Sequence, residues 1–243
     1  ADYIDYLIAD ETVIPKKNLK FYSEKVLYLP ECYQSNMKSR EITKKDFKRN
    51  DFGLPEGAFI FSSFNNNYKI TPEMFDIWMQ ILKNVPNSVL WILKSNETAT
   101  TNLKNEANKK NVNPDRIILA DHLPNDEHLK RIKLADLFLD SFPYNAHTTA
   151  SDAVRMGIPL ITLKGRSFQS RVGSSILNCI NMKELITINK TDYINLAIDL
   201  AKNPKKLKKI KDDLENNVNN SSLFDSSKFT KNLEDLYLKI LKN

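Results

Sequence analysis

Glycine is scarce in this chain. Its five glycines are scattered over 243 residues, so neither a Gly-rich dinucleotide loop nor a Walker loop is present. Cysteine is scarcer still. Cys32 and Cys179 show no metal spacing and require no disulfide, which fits a reducing, cytoplasmic compartment. There is no Asp-any-Asp pair, no HExxH and no paired Cys set. Nothing in the sequence therefore implies a metal or another cofactor. No apolar run approaches a membrane span. The start carries Asp2 and Asp5 and lacks a cationic segment, which excludes a signal-peptide pattern. It opens with Ala and reads at once as an interior strand, so the chain is expected to be a fragment of something longer. Histidine is also rare: His122, His128 and His147 are the only three.

What is present is ordinary for a globular protein. The length allows one large domain or two small ones with ample core. The net charge is +6, from 36 Lys and Arg against 30 Asp and Glu. Such a balance raises nucleic-acid binding as one reading. The strongest basic run, Lys205-Lys206-Leu207-Lys208-Lys209-Ile210-Lys211, argues against it. Leu207, Ile210 and Leu214 recur at helical spacing, so the lysines read as a solvated face over a buried stripe.

In chain order, Tyr6–Asp10 reads as a strand, 18–24 as a short helix and Val26–Leu29 as a second strand ended by Pro30. Residues 34–50 are polar and lysine-rich without a period, a connector between lobes. From Ala58 onward strands and helices alternate. Strands are expected at 58–64, 89–93, 116–120, 136–140, 159–163 and 185–188. Helices are expected at 72–84, 98–110, 126–134, 148–157, 170–179, 193–202, 204–216 and 227–241. Thr71-Pro72 supplies an N-cap with Pro at the first helical position, Asn125 another N-cap, and Gly157 a left-handed C-cap. In the helix from Pro72, Met74, Phe75, Trp78, Ile81 and Leu82 form one apolar stripe. The alternation predicts an α/β fold, a Rossmann-like, mainly parallel sheet with helices on both faces. Ligands of such sheets bind at the carboxyl ends of the strands.

Three loops at those ends carry the chemistry. The stretch Asp136–Gly157, DLFLDSFPYNAHTTASDAVRMG, runs from a strand through a turn into a helix opened by His147-Thr148-Thr149. The first turn of a helix has unpaired N–H groups and a partial positive charge, which favours phosphate. Asp152 lies four residues after Thr148 on the same face. A carboxylate repels phosphate, so its partner there is a neutral diol such as a ribose. The plain alternative is an N-capped helix behind a buried strand. The loop Asn65–Lys69 offers Lys69 as a mobile charge for a diphosphate and Asn66 as a hydrogen-bonding group. On the third loop His128 and Arg131 stand three apart on one helix face, flat cations or rings able to stack on a nucleobase. An ordinary exposed amphipathic helix is the alternative there.

Taken together, these segments resemble one family, glycosyltransferase family 41: the O-linked N-acetylglucosamine transferases and their SPINDLY-like bacterial relatives. The resemblance is carried by FSSFNNNYKITPEMFDIWMQILKNVPNSVLWIL, RIILADHLPNDEHLKRIKLADLFLDSFPYNAHTTASDAVRMGIPLITLKG, SRVGSSIL and SSLFDSSKFTKNLEDLYLKI. It covers nearly the whole chain and is weakest over 34–50. It implies the C-terminal, nucleotide-binding lobe of a two-lobed GT-B transferase. Residues 1–50 would be the end of the N-terminal lobe plus the connector, 51–225 the nucleotide-sugar lobe, and 226–243 a helix packing back on the lobes. The tetratricopeptide repeats usual in the family are absent from this stretch.

The resemblance further implies roles. Lys69 matches the lysine on the donor diphosphate and takes the catalytic assignment. His147, Thr148 and Thr149 match the His-Thr-Thr at the phosphates and sugar, and Asp152 the ribose carboxylate. Leu123, His128 and Arg131 match the uracil-binding positions. Asn66 stands where animal enzymes have Gln, and Asn125 where they have Lys. Plant SPINDLY fucosyltransferases, which use GDP-fucose, have Thr and Glu at the positions of His147 and Asp152, so UDP is favoured here. The implied reaction is inverting, metal-independent transfer of a UDP-sugar, N-acetylglucosamine first, to Ser or Thr of a protein. A non-catalytic nucleotide-sugar module, or a glucosyltransferase with another donor or an Asn acceptor, stays open. The implied partners are a UDP-sugar, a protein acceptor and the missing lobe, with no nucleic acid and no membrane.

Overall fold

The computed structural model describes residues 3–242. Ala1, Asp2 and Asn243 lie outside the described residues, and with them the acidic start at Asp2 and the ends of the expected first and last segments. Two parallel sheets carry the chain. The small one pairs β1 (Tyr6–Ala9) with β2 (Lys25–Tyr28). The large one holds β3 (Phe59–Ser63), β4 (Ser88–Leu93), β5 (Ile117–Ala120), β6 (Leu137–Leu139), β7 (Leu160–Leu163) and β8 (Ile186–Thr187). Every neighbouring pair is parallel, and the order is β5-β4-β3-β6-β7-β8.

That order contains a switch. From β3 the chain moves outward through β4 to β5. It then crosses back to β6 on the other side of β3 and moves outward again. At such a point the loops leaving β3 and β6 part in opposite directions and leave a crevice between them. The strands are covered on both faces, which explains their unbroken apolar runs: LFL in β6 and LITL in β7 are buried throughout. Burying side chains such as Ile60, Phe61, Leu137 and Phe138 contributes roughly 1.5–3 kcal/mol each relative to exposure.

The helices follow the expected periods. Helix α1 (Pro72–Asn84) starts as read, with Met74 N–H donating to Thr71 Oγ1 at 3.2 Å and Pro72 at the first turn. Its buried stripe is wider than predicted and adds Ile77 and Met79, because α6 (Lys190–Lys202) packs on it as well as the sheet. The remaining helices are α2 (Glu97–Lys109), α3 (Asn125–Ile132), α4 (Thr148–Arg155), α5 (Val172–Cys179), α7 (Pro204–Asn220) and α8 (Ser226–Leu241). Gly157 terminates α4 with φ +77°, as its lack of a Cβ allows.

Several boundaries differ from the sequence reading. Residues 16–21 form a 3-10 turn in place of an α-helix over 18–24. Pro124 occupies the cap of α3 without a side-chain bond, and Asn125 is already helical; a proline with extended backbone fits that entry equally well. The last strand shrinks to two residues. Helix α7 carries the basic run as a solvated face: Ile210 and Leu214 are buried. Lys206, Lys208 and Lys211 pair with Asp199, Asp212 and Asp136 at 2.6, 2.5 and 3.7 Å. Three of the five lysines of the run are thus matched by acidic side chains.

No helix among the described residues is long and apolar enough to cross a membrane.

Candidate functional site

The crevice at the switch point is a cavity of about 400 Å³. It is lined by Asn66 and Lys69 after β3, by Leu123, Asn125, His128 and Arg131 from the β5–α3 loop and α3, and by His147, Thr148, Thr149 and Asp152 at α4. All the residues singled out from sequence therefore meet at one place, and so do all three histidines. A larger cavity of about 650 Å³, between the β1–β2 unit and α8, contains none of them.

Lys69 ends a single 3-10 turn, Asn67–Lys69, three residues after β3. The turn points its side chain across to the β6 loop and buries it, 8% exposed. Its Nζ donates to the Asn145 carbonyl at 2.9 Å and lies 4.0 Å from the Tyr144 ring centroid. Burial lowers its pKa, and the charge of Asp140 works against that shift. A cation held between a carbonyl and an aromatic face has two weak partners and attracts any stronger anion that enters.

The β6 loop is braced from below by groups that sequence reasoning passed over. Asp140 is fully buried. It accepts from Ser141 N–H at 2.8 Å, Ala146 N–H at 2.6 Å and Thr162 Oγ1 at 2.6 Å. Its backbone carbonyl accepts from the Tyr193 hydroxyl at 2.8 Å. Asn65, also buried, donates to Ser141 Oγ at 3.2 Å and accepts from Thr149 Oγ1 at 2.9 Å. Thr149 therefore ties α4 to the β3 loop instead of capping its own helix, and His147 at the cap position makes no side-chain capping bond. The first turn of α4 opens into the cavity through Thr148 and Thr149. Polar residues placed directly after a strand are the one signal that could have marked Asn65 and Asp140.

At the opposite wall Arg131 is not on an exposed face. It is 1% exposed, with its guanidinium 5.6–5.9 Å from the rings of Phe64, Trp91 and Phe52. Its Nε donates to His128 Nδ1 at 3.0 Å and Nη1 to the Asp121 carbonyl at 2.6 Å. The helix is amphipathic, but Arg131 lies on its buried face with Leu129 and Ile132 and not on its exposed one. Because His128 Nδ1 accepts from Arg131, the proton of the neutral ring sits on Nε2, a donor for a carbonyl on a base edge. Asp152 is 5% exposed and pairs with Arg40 through Oδ1. Burial raises its pKa, and Arg40 and Arg155 pull it back.

The histidines carry a testable property. Burial lowers the pKa of both to about 4, with Arg131 adding to the effect at His128 and Lys69 at His147. An NMR titration should show both rings neutral at pH 6 with midpoints near 4. Midpoints near the ordinary 6.5 would refute the burial described here. The unfolded chain binds more protons than the folded one between pH 6.5 and 4, so both groups contribute stability at pH 7 that is lost as pH falls through that window. Asp140 runs the other way. Burial raises its pKa to about 7, so its contribution is lost as pH rises through 7.

Among the described residues no group of three or more His, Cys, Asp or Glu side chains is placed to hold a metal ion.

Known proteins share this chain's sequence pattern and fold. Residues 36–233 match the family model for glycosyl transferase family 41. The probable UDP-N-acetylglucosamine–peptide N-acetylglucosaminyltransferase SEC of Arabidopsis thaliana is 38% identical over 246 residues, 99% of this chain and 25% of the relative. The UDP-N-acetylglucosamine–peptide N-acetylglucosaminyltransferase of Caenorhabditis elegans is 32% identical over 188 residues, 77% of this chain and 16% of the relative. Among solved structures, a mutant O-GlcNAc transferase of Thermobaculum terrenum superposes with a TM-score of 0.83 at 26% identity, covering 96% of this chain and 44% of that one. The fold is thus the GT-B-like α/β fold of that transferase, and the chain spans about a quarter or less of the curated relatives' length. On these grounds the chain belongs to glycosyl transferase family 41.

Proposed function

We propose that this chain is the donor-binding lobe of a protein O-glycosyltransferase that takes N-acetylglucosamine from UDP to Ser or Thr hydroxyls. The observation that carries the proposal is the convergence of Lys69 and the first turn of α4 on one crevice. In this reading His128 meets the base and Asp152 the ribose; both residues line the same crevice. The relatives named for UDP-N-acetylglucosamine supply the sugar and the protein acceptor.

We propose that the transfer is inverting and metal-independent. The acceptor oxygen forms its bond to the anomeric carbon as the bond from that carbon to the UDP oxygen breaks. UDP leaves with the electron pair. In this reading Lys69 and the first-turn N–H groups of α4 take up that negative charge, which is the work of fixed electrostatic stabilisation. The proton of the acceptor hydroxyl goes to a base that we assign, with most of the acceptor surface, to the rest of the parent chain. In this reading residues 1–50 close the preceding lobe, 51–225 hold the donor, and 226–243 bridge back. Lys228 of α8 meets Glu31 at 2.5 Å, in keeping with that bridge. Both cysteines are free, which supports a cytoplasmic setting.

Two outcomes test the proposal. Calorimetric titration should show UDP bound and GDP bound at least about tenfold more weakly, a difference of about 1.4 kcal/mol. Incubation with UDP-N-acetylglucosamine and an acceptor peptide should show no turnover by this chain alone. Binding of neither nucleotide, or GDP ahead of UDP, would overturn the donor assignment.

A further inference from the structure

The polar connector, residues 34–48, has no regular secondary structure, yet it is tied down on both sides of the cavity. Near its start, Arg155 at the end of α4 donates to the carbonyls of Met37 and Lys38. The same guanidinium lies 3.9 Å from the Phe224 ring centroid. At the other end, Lys45 pairs with Glu127, and Asp46 pairs with Lys130 at 3.2 Å. Both partners belong to α3. The segment between these ties spans from the helix of Asp152 to the helix of His128.

Arg40 lies within that span. Its side chain is 20% exposed, and it pairs with Asp152 Oδ1. No connector residue lines the cavity itself, so Arg40 meets the site from behind, through Asp152. A long arginine side chain in an irregular segment is solvated by default, and ordering it costs rotamer freedom. Something must offset that cost. Asp152 supplies it, since a nearly buried carboxylate without a counter-charge is disfavoured. Asp152 Oδ2 takes no hydrogen bond from any described residue.

We propose that Arg40 is a positioning residue of the nucleotide site: it clamps Asp152 through Oδ1 and leaves Oδ2 to accept from the ribose diol of a nucleoside diphosphate. The inference rests on the donor-binding reading above. It makes the irregular connector a support of that site, acting from behind Asp152. Arg40 then acts on the nucleotide through Asp152, and its effect depends on the ribose hydroxyls.

The test is calorimetry of this chain with UDP and with 2′,3′-dideoxy-UDP, using wild type, Arg40→Ala and Arg40→Lys. Melting curves check that each variant is folded. The expected result is that Arg40→Ala weakens UDP about tenfold, the size of one charge-assisted hydrogen bond. The dideoxy nucleotide should bind wild type and Arg40→Ala equally, and Arg40→Lys should recover part of the UDP loss. An equal loss for both nucleotides would mean that the connector merely supports the fold or that Arg40 meets the diphosphate. Unchanged or tighter UDP binding in Arg40→Ala would mean that Arg40 is idle or competes with the ribose. Each of these overturns the proposal and leaves the donor-binding reading standing. Failure of the wild type to bind UDP overturns both.

Discussion

Replacing Lys69 with Ala should weaken UDP binding by roughly ten- to a hundredfold while the fold persists. The ammonium sits between the Asn145 carbonyl and the Tyr144 ring, and neither partner neutralises it. A diphosphate oxygen does so, and a charge-assisted hydrogen bond is worth about 1.5–3 kcal/mol, which converts to that range of affinity. The stability cost is small, since the variant loses one hydrogen bond and relieves a buried cation. Lys69→Arg should not restore binding. The longer, planar guanidinium cannot act as a compact charge at the place the ammonium takes between the Asn145 carbonyl and the Tyr144 ring. Calorimetry with UDP, alongside thermal melting, measures both effects. Equal UDP affinity in wild type and Lys69→Ala would remove Lys69 from the site.

Gly173→Ala should destabilise the protein by about 1–3 kcal/mol, the usual cost of overpacking a filled interior. That equals a fall of roughly 2–10 °C in melting temperature for a chain of this size. Gly173 lies in α5 where the helix meets the floor of the site. An added Cβ would sit 2.5 Å from Asp140 Oδ2, 2.5 Å from Thr162 Oγ1 and 2.9 Å from Thr162 Cβ. The helix cannot retreat cheaply, because Ser175 two residues on is bonded to Asp10 at 2.5 Å. The strain therefore reaches Asp140, and through it the Ser141 and Ala146 N–H groups that shape the loop beneath Lys69. UDP affinity should fall in the same variant although Gly173 does not line the cavity. Gly57→Ala serves as the control, since its added Cβ meets nothing within 4 Å. A melting temperature unchanged in Gly173→Ala would contradict the close approach of α5 to β7.

Much of this was legible in the sequence because the relevant forces are local. The alternation of apolar strands with amphipathic helices follows from side-chain periodicity over a dozen residues. Thr71-Pro72 and Gly157 act within one turn of a helix. The buried strands are uniform in hydrophobicity because a parallel sheet is covered on both faces, and LFL and LITL show that without any partner being known. Loop composition after β3, β5 and β6 also pointed to Lys69, His128 and His147 as members of one site. Boundaries were less legible. Asn125 carries a capping side chain, yet Pro124 takes the cap position, a choice set by the path of the incoming loop.

The sequence by itself determined the fold class, the strand and helix order, the family likeness and which loops meet at the crevice. Each of those is written in periodicity, in turn chemistry or in long colinear motifs. Only the tertiary structure decided what each side chain does there. It buried Arg131 behind His128, turned Thr149 toward Asn65 across 84 residues of chain, and set Arg40 on Asp152 across 112. The physical reason is the strand order. Placing β6 beside β3 brings together loops that are remote in sequence. Pairings between remote loops depend on which donors and acceptors the packed sheet leaves facing each other, and no local pattern encodes that.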